Sequence, residues 1–448
     1  MTLKRSSVAG VLAALAARAI SVLGNIALFA VIGNAGGAEA AGLFAFTFGV
    51  VQGASMISRR GADSALVKYV GQDHWDRKIL GYAWFAVRRT LPLMVTFTLG
   101  LYFGRDYFMS VFSRPGLGQM LVPMIVSIPA FTLVYLCSGF LKGVRAPAMA
   151  TLVENGAISV LTSIAILVWS YSGRGFDASV MGWGFCASTW LSLVAGLVLV
   201  LRHCLGLAGK EVPDSDFFRA GRKEFYRASS VFFVMGFSAF AQSVLYMLAG
   251  GIILTSSELG IFKVAERAAL GVTFLAIVGD SILPPRFAMH HFNDNKVELK
   301  RLAVIGAAFS FIPMIPVAIG LLLYSDTVMA LFGLHGNIAS NVLRIVVIAQ
   351  LFNVMTGPVG PLLNMCGKEM VMCRISVLSN VVAFVMFVIL SQAFREVGAA
   401  LSLAAAIIMQ NSLATYFVRR ELGINILSGW KAEVAHFFNS FRHKGNEG

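Results

Sequence analysis

Stretches of about twenty apolar residues, the length that crosses ~30 Å of hydrocarbon as a helix, alternate with short polar turns along the whole chain. Twelve such spans can be drawn, at 8–33, 41–62, 79–103, 117–141, 148–171, 178–201, 226–254, 260–283, 302–324, 338–363, 371–392 and 397–418. A membrane β-barrel would show alternating segments of about ten residues instead. The pattern predicts an all-α membrane protein with twelve transmembrane helices. The longest connection, 202–225, is rich in charge (Arg202, Lys210, Glu211, Asp214, Asp216, Arg219, Arg222, Lys223, Glu224) and falls at the midpoint. The expected organisation is an N-terminal six-helix bundle over 1–201, a cytoplasmic linker over 202–225, a C-terminal six-helix bundle over 226–420 and a tail over 421–448. Trp430, Phe437, Phe438 and Phe441 in the tail recur at helical spacing beside Lys431, Arg442 and Lys444. That pattern predicts an amphipathic helix on the cytoplasmic interface.

Composition agrees with the spans. Only 13% of residues are charged and 57% are hydrophobic, where soluble domains carry roughly 25% charged. The net charge of +14 is accounted for by lysine and arginine in cytoplasmic loops, so nucleic acid is not expected as a partner. With the N-terminus inside, the outer loops hold only Arg105, Arg114, Arg174 and Arg395, which places both termini in the cytoplasm. The first span follows Lys4 and Arg5 and runs to Ile32, too long for a signal-peptide core, and reads as an uncleaved helix. The five cysteines and seven histidines have no metal-ligand spacing. No metal or cofactor is implied.

The two halves resemble each other. GLFAFTFGVVQGASMISRRGADSAL from Gly42 parallels GIFKVAERAALGVTFLAIVGDSIL from Gly260, with Asp63-Ser64 opposite Asp280-Ser281 after one gap. YFMSVF ending at Phe112 parallels TVMALF ending at Phe332, Pro92 parallels Pro313, and FLKG ending at Gly143 parallels NMCG ending at Gly367. A shared order at near-constant offset implies a six-plus-six duplication. Six crossings return the chain to its starting side, so the repeats are parallel, an arrangement that places a substrate path between two bundles.

The spans, the repeat and the run GLFAFTFGVVQGASMISRRGADSALVKYV from Gly42 to Val70 are similar to the polysaccharide-transporter branch of the multidrug/oligosaccharidyl-lipid/polysaccharide (MOP) exporter superfamily, which holds the Wzx-type O-antigen and exopolysaccharide flippases. The resemblance implies two pseudo-symmetric six-helix bundles around a central cavity. It implies a lipid-linked oligosaccharide as substrate, carried on undecaprenyl pyrophosphate from the cytoplasmic to the periplasmic leaflet of a bacterial inner membrane. It also implies contact with membrane lipids, a polysaccharide polymerase and chain-length proteins as candidate partners, and a proton or sodium ion as candidate coupling ion.

The residues independently suit an anionic head group. Arg18, Arg88, Arg89, Lys263, Arg267 and Arg344 lie inside apolar spans against one embedded carboxylate, Glu266. A cation at mid-bilayer costs roughly 2.5–3.5 kcal/mol on insertion scales, so such groups face a bundle interior or a wet cavity. Arginine also grips phosphate oxygens through two parallel bonds. Arg18 and Asn25, two turns apart, share a helix face; the alternative for Arg18 is snorkelling to the inner interface. Arg88 and Arg89 point about 100° apart, so only one faces a cavity. Lys263, Glu266 and Arg267 have i, i+3, i+4 spacing and suit either substrate contact or a structural ion-pair patch. Arg344 is followed by Gln350 and Asn353, a candidate wet face. Asp63 and Asp280, at equivalent span ends, are candidates for gating or ion coupling, or for helix-end stabilisation; Glu154 and Glu266 are the other acidic candidates. Prolines 92, 123, 129, 313, 316, 358 and 361 lie within spans, where cavity water or neighbours satisfy the freed backbone.

Neither Gly209-Lys210 nor Gly367-Lys368 has Walker A glycine spacing, which disfavours an ATP-driven pump. A glycosyltransferase needs acidic residues in an outer loop, and the first offers only Glu39. A polymerase would carry a large periplasmic loop, so an enzyme is not expected. A drug/cation antiporter of the same superfamily would want an acidic cavity, and its peptidoglycan-precursor flippases usually have fourteen spans.

Overall fold

The computed structural model describes residues 2–72, 76–172, 175–206 and 221–426. Side chains are described from residue 13 onward, except 235, 237–243, 245, 277, 278, 280–282 and 285. Most of the expected linker, the expected tail helix beyond residue 426 and the Asp280 side chain therefore lie outside the described residues.

All described secondary structure is helical. The helices are α1 (Thr2–Arg59), α2 (Ala62–Gln72), α3 (Lys78–Phe103), α4 (Arg105–Phe112), α5 (Leu117–Gly143) and α6 (Pro147–Thr151); a π-helical turn, Leu152–Gly156, then leads into α7 (Ala157–Tyr171). They continue as α8 (Ala178–Leu205), α9 (Arg222–Ile253), α10 (Ser256–Phe292), α11 (Lys296–Phe311), α12 (Met314–Leu323), α13 (Ser325–Leu331), α14 (Asn337–Thr356), α15 (Val359–Met365) and α16 (Glu369–Leu422). Seven helical stretches are long and apolar enough to cross a membrane. Two of them, Ala13–Arg59 and Glu369–Leu422, hold two crossings each, and α3, α9 and α10 supply three more. Twelve crossings are thus present among the described residues, at the positions the apolar pattern predicts.

The breaks in these long helices have local causes. The chain reverses inside α1 at Gly37, whose φ of 67° and ψ of −166° are open to glycine. The reversal inside α16 falls on Arg395, with φ 52° and ψ −129°. A Cβ on Gly398 would strike the Leu390 carbonyl, so glycine there lets the returning helix pass close. Pro313 separates α11 from α12, and Gly357-Pro358 separates α14 from α15, because proline removes a backbone donor and crowds the preceding turn.

The chain divides into two compact units. Unit 1 is Met1–Val264 with Leu331–Leu334, and unit 2 is Ala265–Ala330 with His335–Gly448. In unit 1, α5 is the interior helix: 72% of its apolar window is buried, against 28–50% in the other six stretches. Lipid is as apolar as leucine, so packing and internal hydrogen bonds hold such helices together rather than exclusion of water. Phe44, Phe131 and Phe185 interlock within unit 1 with ring centroids about 6 Å apart, edge to face in the Phe44–Phe185 pair. Buried hydroxyls of Thr47, Thr132, Thr162 and Thr189 donate to the carbonyl four residues back, which satisfies these four within their own helices.

The two glycines that open the repeated motifs meet. A Cβ on Gly42 would overlap the Ser256 carbonyl and the Gly260 nitrogen, and a Cβ on Gly260 would overlap the Ala38 carbonyl and the Gly42 nitrogen. Each glycine thus touches its counterpart and the residue four before it. Unit 2 packs around Phe287, Leu299, Ala303, Leu362, Val418 and Ile424.

Candidate functional site

Unit 1 gathers four charges around Tyr135. Arg59, buried at 6% exposure, donates from Nη1 to Asp63 Oδ2 at 2.8 Å and from Nε to the Ser55 carbonyl at 3.3 Å. Its guanidinium lies 3.9 Å from the centre of the Tyr135 ring. Tyr135 in turn donates to Asn155 Oδ1 at 3.3 Å. The neighbouring Glu154 accepts at one oxygen from both Ser138 Oγ (2.6 Å) and Lys142 Nζ (2.5 Å). Two cations and two carboxylates therefore balance. The turn Arg60-Gly61, with φ of 44° and 73°, ends α1 and lets Asp63 enter the first turn of α2, where a carboxylate also faces the positive helix end.

Glu154 occupies the π-helical turn. Such single π turns widen a helix by one residue and recur at functional sites. Beside it, Asn25, Glu154 and Asn155 border a crevice of about 20 Å³ next to the phenylalanine cluster, room for about one water. The Asn25 Oδ1 is buried with no partner among the described residues. Asn25 and Glu154, separately singled out in the sequence, are thus brought together.

The embedded cations are not gathered at one point. Arg18 and Arg88 are exposed. Arg89 is half-buried against α9: it donates to Ser230 Oγ at 2.6 Å, lies 5.0 Å from the Tyr226 ring centre, and its carbonyl accepts from Arg60 Nη2 at 2.8 Å. Lys263 is buried in unit 1 with its ammonium 5.2 Å from the Phe262 ring centre. Glu266 and Arg267 are half-buried in unit 2. Arg344 pairs with Asp326 at 3.6 Å, and Ser340 donates to the same carboxylate. Adjacent Arg88 and Arg89 do differ in surroundings, as their 100° separation requires.

Two tethers lie outside the spans. Tyr69 on α2 donates to Glu224 at 3.0 Å; burial first, then that bond and the carboxylate charge, push its phenol up to about 12. Arg114 donates to the Gly250, Gly251 and Leu254 carbonyls and to Ser256 Oγ, closing the C-terminus of α9 as a cation does at a helix end. Burial lowers its pKa.

Unit 2 holds the larger cavity, about 440 Å³. Gln350 and Asn353 on α14 line it as one wet face, together with Asn364, Gln410 and Asn411. Thr356 donates to Asn411 (3.3 Å), Asn411 to Asn353 (3.0 Å) and Asn353 to Gln350 (3.2 Å), a chain of carboxamides joining α14 to α16. None of its described lining residues is charged. Asn411, Gln410 and Asn364 escaped the sequence reading, as did Tyr135, Ser138 and the role of Lys142. The usable signal was the polar pair Gln410-Asn411 in the middle of an otherwise apolar span.

Helices that cross twelve times among the described residues, with polar cavities between them, define a multi-pass helical membrane protein. No protein-family model matches the chain. The inward-facing structure of a multidrug resistance MATE family transporter of the MOP superfamily superposes with a TM-score of 0.66, 15% identical, over 92% of this chain and 98% of that one. The lipid II flippase MurJ in its inward closed conformation superposes with a TM-score of 0.64, 14% identical, over 96% and 93%. A MOP superfamily transporter from Pyrococcus furiosus gives 0.56 at 16% identity, over 94% and 95%. The fold is therefore that of MOP superfamily transporters. A curated protein of Haloferax volcanii, named probable low-salt glycan biosynthesis flippase Agl15, is 25% identical over 229 residues, 51% of this chain and 48% of its own. The match spans about half the length of that relative.

Proposed function

We propose that this protein is a flippase that moves a lipid-linked oligosaccharide across a membrane by alternating access. The observation that carries the reading is the fold shared along 96% of the chain with a lipid II flippase, and the partial match to a glycan biosynthesis flippase supports it. The finer reading is an undecaprenyl-pyrophosphate-linked O-antigen or exopolysaccharide repeat unit, carried outward across a bacterial inner membrane with both termini cytoplasmic. Arginine grips pyrophosphate oxygens through two parallel bonds, and unit 1 carries Arg18 and Arg88 exposed and Arg89 half-buried. Glu154, beside the unpartnered Asn25 oxygen, is the candidate for proton or sodium coupling.

Reconstituted vesicles holding a fluorescent undecaprenyl-pyrophosphate oligosaccharide test this. Purified protein should make the inner-leaflet probe accessible to an outside quencher, and Arg89→Ala should slow that transfer at least tenfold at equal incorporation. An unchanged leaflet distribution with active, monodisperse protein overturns the reading. Release of free undecaprenyl pyrophosphate would point to an enzyme instead, and ethidium efflux without glycan transfer to a drug antiporter.

A further inference from the structure

We infer that the carboxamide cavity of unit 2 binds an uncharged, hydroxyl-rich group of saccharide size. Three observations lead there. First, the described lining is neutral. A cation would want carboxylates and a pyrophosphate would want guanidinium groups, yet the described lining residues carry neither. Unit 1, by contrast, brings four charges together around Tyr135.

Second, the lining matches hydroxyl groups. Each carboxamide offers two donors and one acceptor in a fixed plane, and a sugar hydroxyl both donates and accepts. Asn411 and Asn353 are held in place by the chain that runs from Thr356 to Gln350. The Gln350 Nε2 group is left over at the end of that chain. Asn364 and Gln410 add two further carboxamides to the same wall. The carboxamides of Gln350, Asn364 and Gln410 thus face the cavity beside a wall that the chain holds in place.

Third, the shape suits an inserted ring. The volume, about 440 Å³, lies in the roughly 300–1,000 Å³ range of small-molecule sites. The break at Gly357-Pro358 opens the wall by ending α14, irregular backbone of the kind that membrane proteins keep where it lines a cavity. Leu283, Val354 and Met372 supply an apolar face for the C–H side of a ring.

Identifying this group as the glycan part of the transported lipid rests on the flippase reading; the selectivity of the cavity for neutral hydroxyls does not. The test uses full-length protein in nanodiscs and saturation-transfer NMR with glucose, galactose and N-acetylglucosamine, each against glucose 1-phosphate. At least one neutral sugar should show saturable transfer that glucose 1-phosphate does not exceed. Asn411→Leu and Gln350→Leu should each weaken it about tenfold, the effect of losing one or two hydrogen bonds. Gln350→Leu is decisive if Asn411→Leu disturbs folding, because Gln350 only accepts at the end of the chain. Absence of transfer from every neutral sugar, equal binding in Gln350→Leu, or preference for the phosphorylated sugar overturns the inference. Lipid flipping without sugar binding sinks this inference and leaves the flippase reading standing; sugar binding without flipping does the reverse.

Discussion

Glu154→Gln separates a structural carboxylate from a coupling one. The substitution keeps size and an acceptor oxygen but removes the charge that meets Lys142 at 2.5 Å. At an effective dielectric near 20, two unit charges about 4 Å apart attract by roughly 4 kcal/mol, before desolvation is subtracted. Breaking a sealed pair costs about 3–5 kcal/mol because the abandoned charge stays buried. Here the Glu154 side chain is 15% exposed but Lys142 is 38% exposed, so the freed ammonium can turn to water or lipid phosphate. The expected loss is therefore smaller, about 1–2 kcal/mol, with Ser138 still able to donate to the amide. Thermal unfolding in detergent should fall by a few degrees. If Glu154 also carries the coupling ion, transport by Glu154→Gln vesicles should no longer respond to an imposed pH or sodium gradient. If it is structural only, transport falls with stability and keeps the gradient response. A variant as stable as wild type with an unchanged gradient response would refute both the energetic argument and the coupling role.

Three further outcomes follow from the geometry. Gly42→Ala or Gly260→Ala gains about 1 kcal/mol of helix propensity, but the new Cβ meets backbone that cannot yield. A net loss of about 1–2 kcal/mol is expected, read as a lowered thermal midpoint in detergent; a stabilised variant would contradict the packing. Arg344→Ala breaks a largely exposed pair with Asp326 and should change stability by less than about 1 kcal/mol, so a strong transport defect at normal stability would assign it to substrate contact. The Lys368 hydrogen bond, then its charge, holds the Glu421 carboxyl below the ordinary carboxylate range. A depressed folded-state pKa stabilises above the unfolded value and the gain is lost as pH falls. Lys368→Ala should thus lower thermal stability at neutral pH and converge with wild type below about pH 4, whereas an equal deficit at both pH values would show that the charge is irrelevant.

The fold was legible because apolar length and turn spacing are one-dimensional signals. Most drawn spans agree with the helices to within a few residues, although α10 runs on to Phe292 and α11 begins at Lys296, and the reversals at Gly37 and Arg395 fall between drawn spans. Facing is not one-dimensional. Lys142 counts as an ordinary cytoplasmic cation until α5 and the π turn are folded together, and only then does it meet Glu154. Gln350 and Asn353 were visible as a wet face, but their partner Asn411 is 58 residues away from Asn353. Arg344 has no acidic residue within its own helix, and its partner Asp326 lies on a different one.

The crossing of Gly42 with Gly260 has the form of an isologous interface. Residue and counterpart exchange the same contact, each glycine against the other and against the residue four positions earlier, as two copies of one subunit do across a dyad. Because each glycine is the other's contact, a side chain added at either one displaces the backbone of both helix starts.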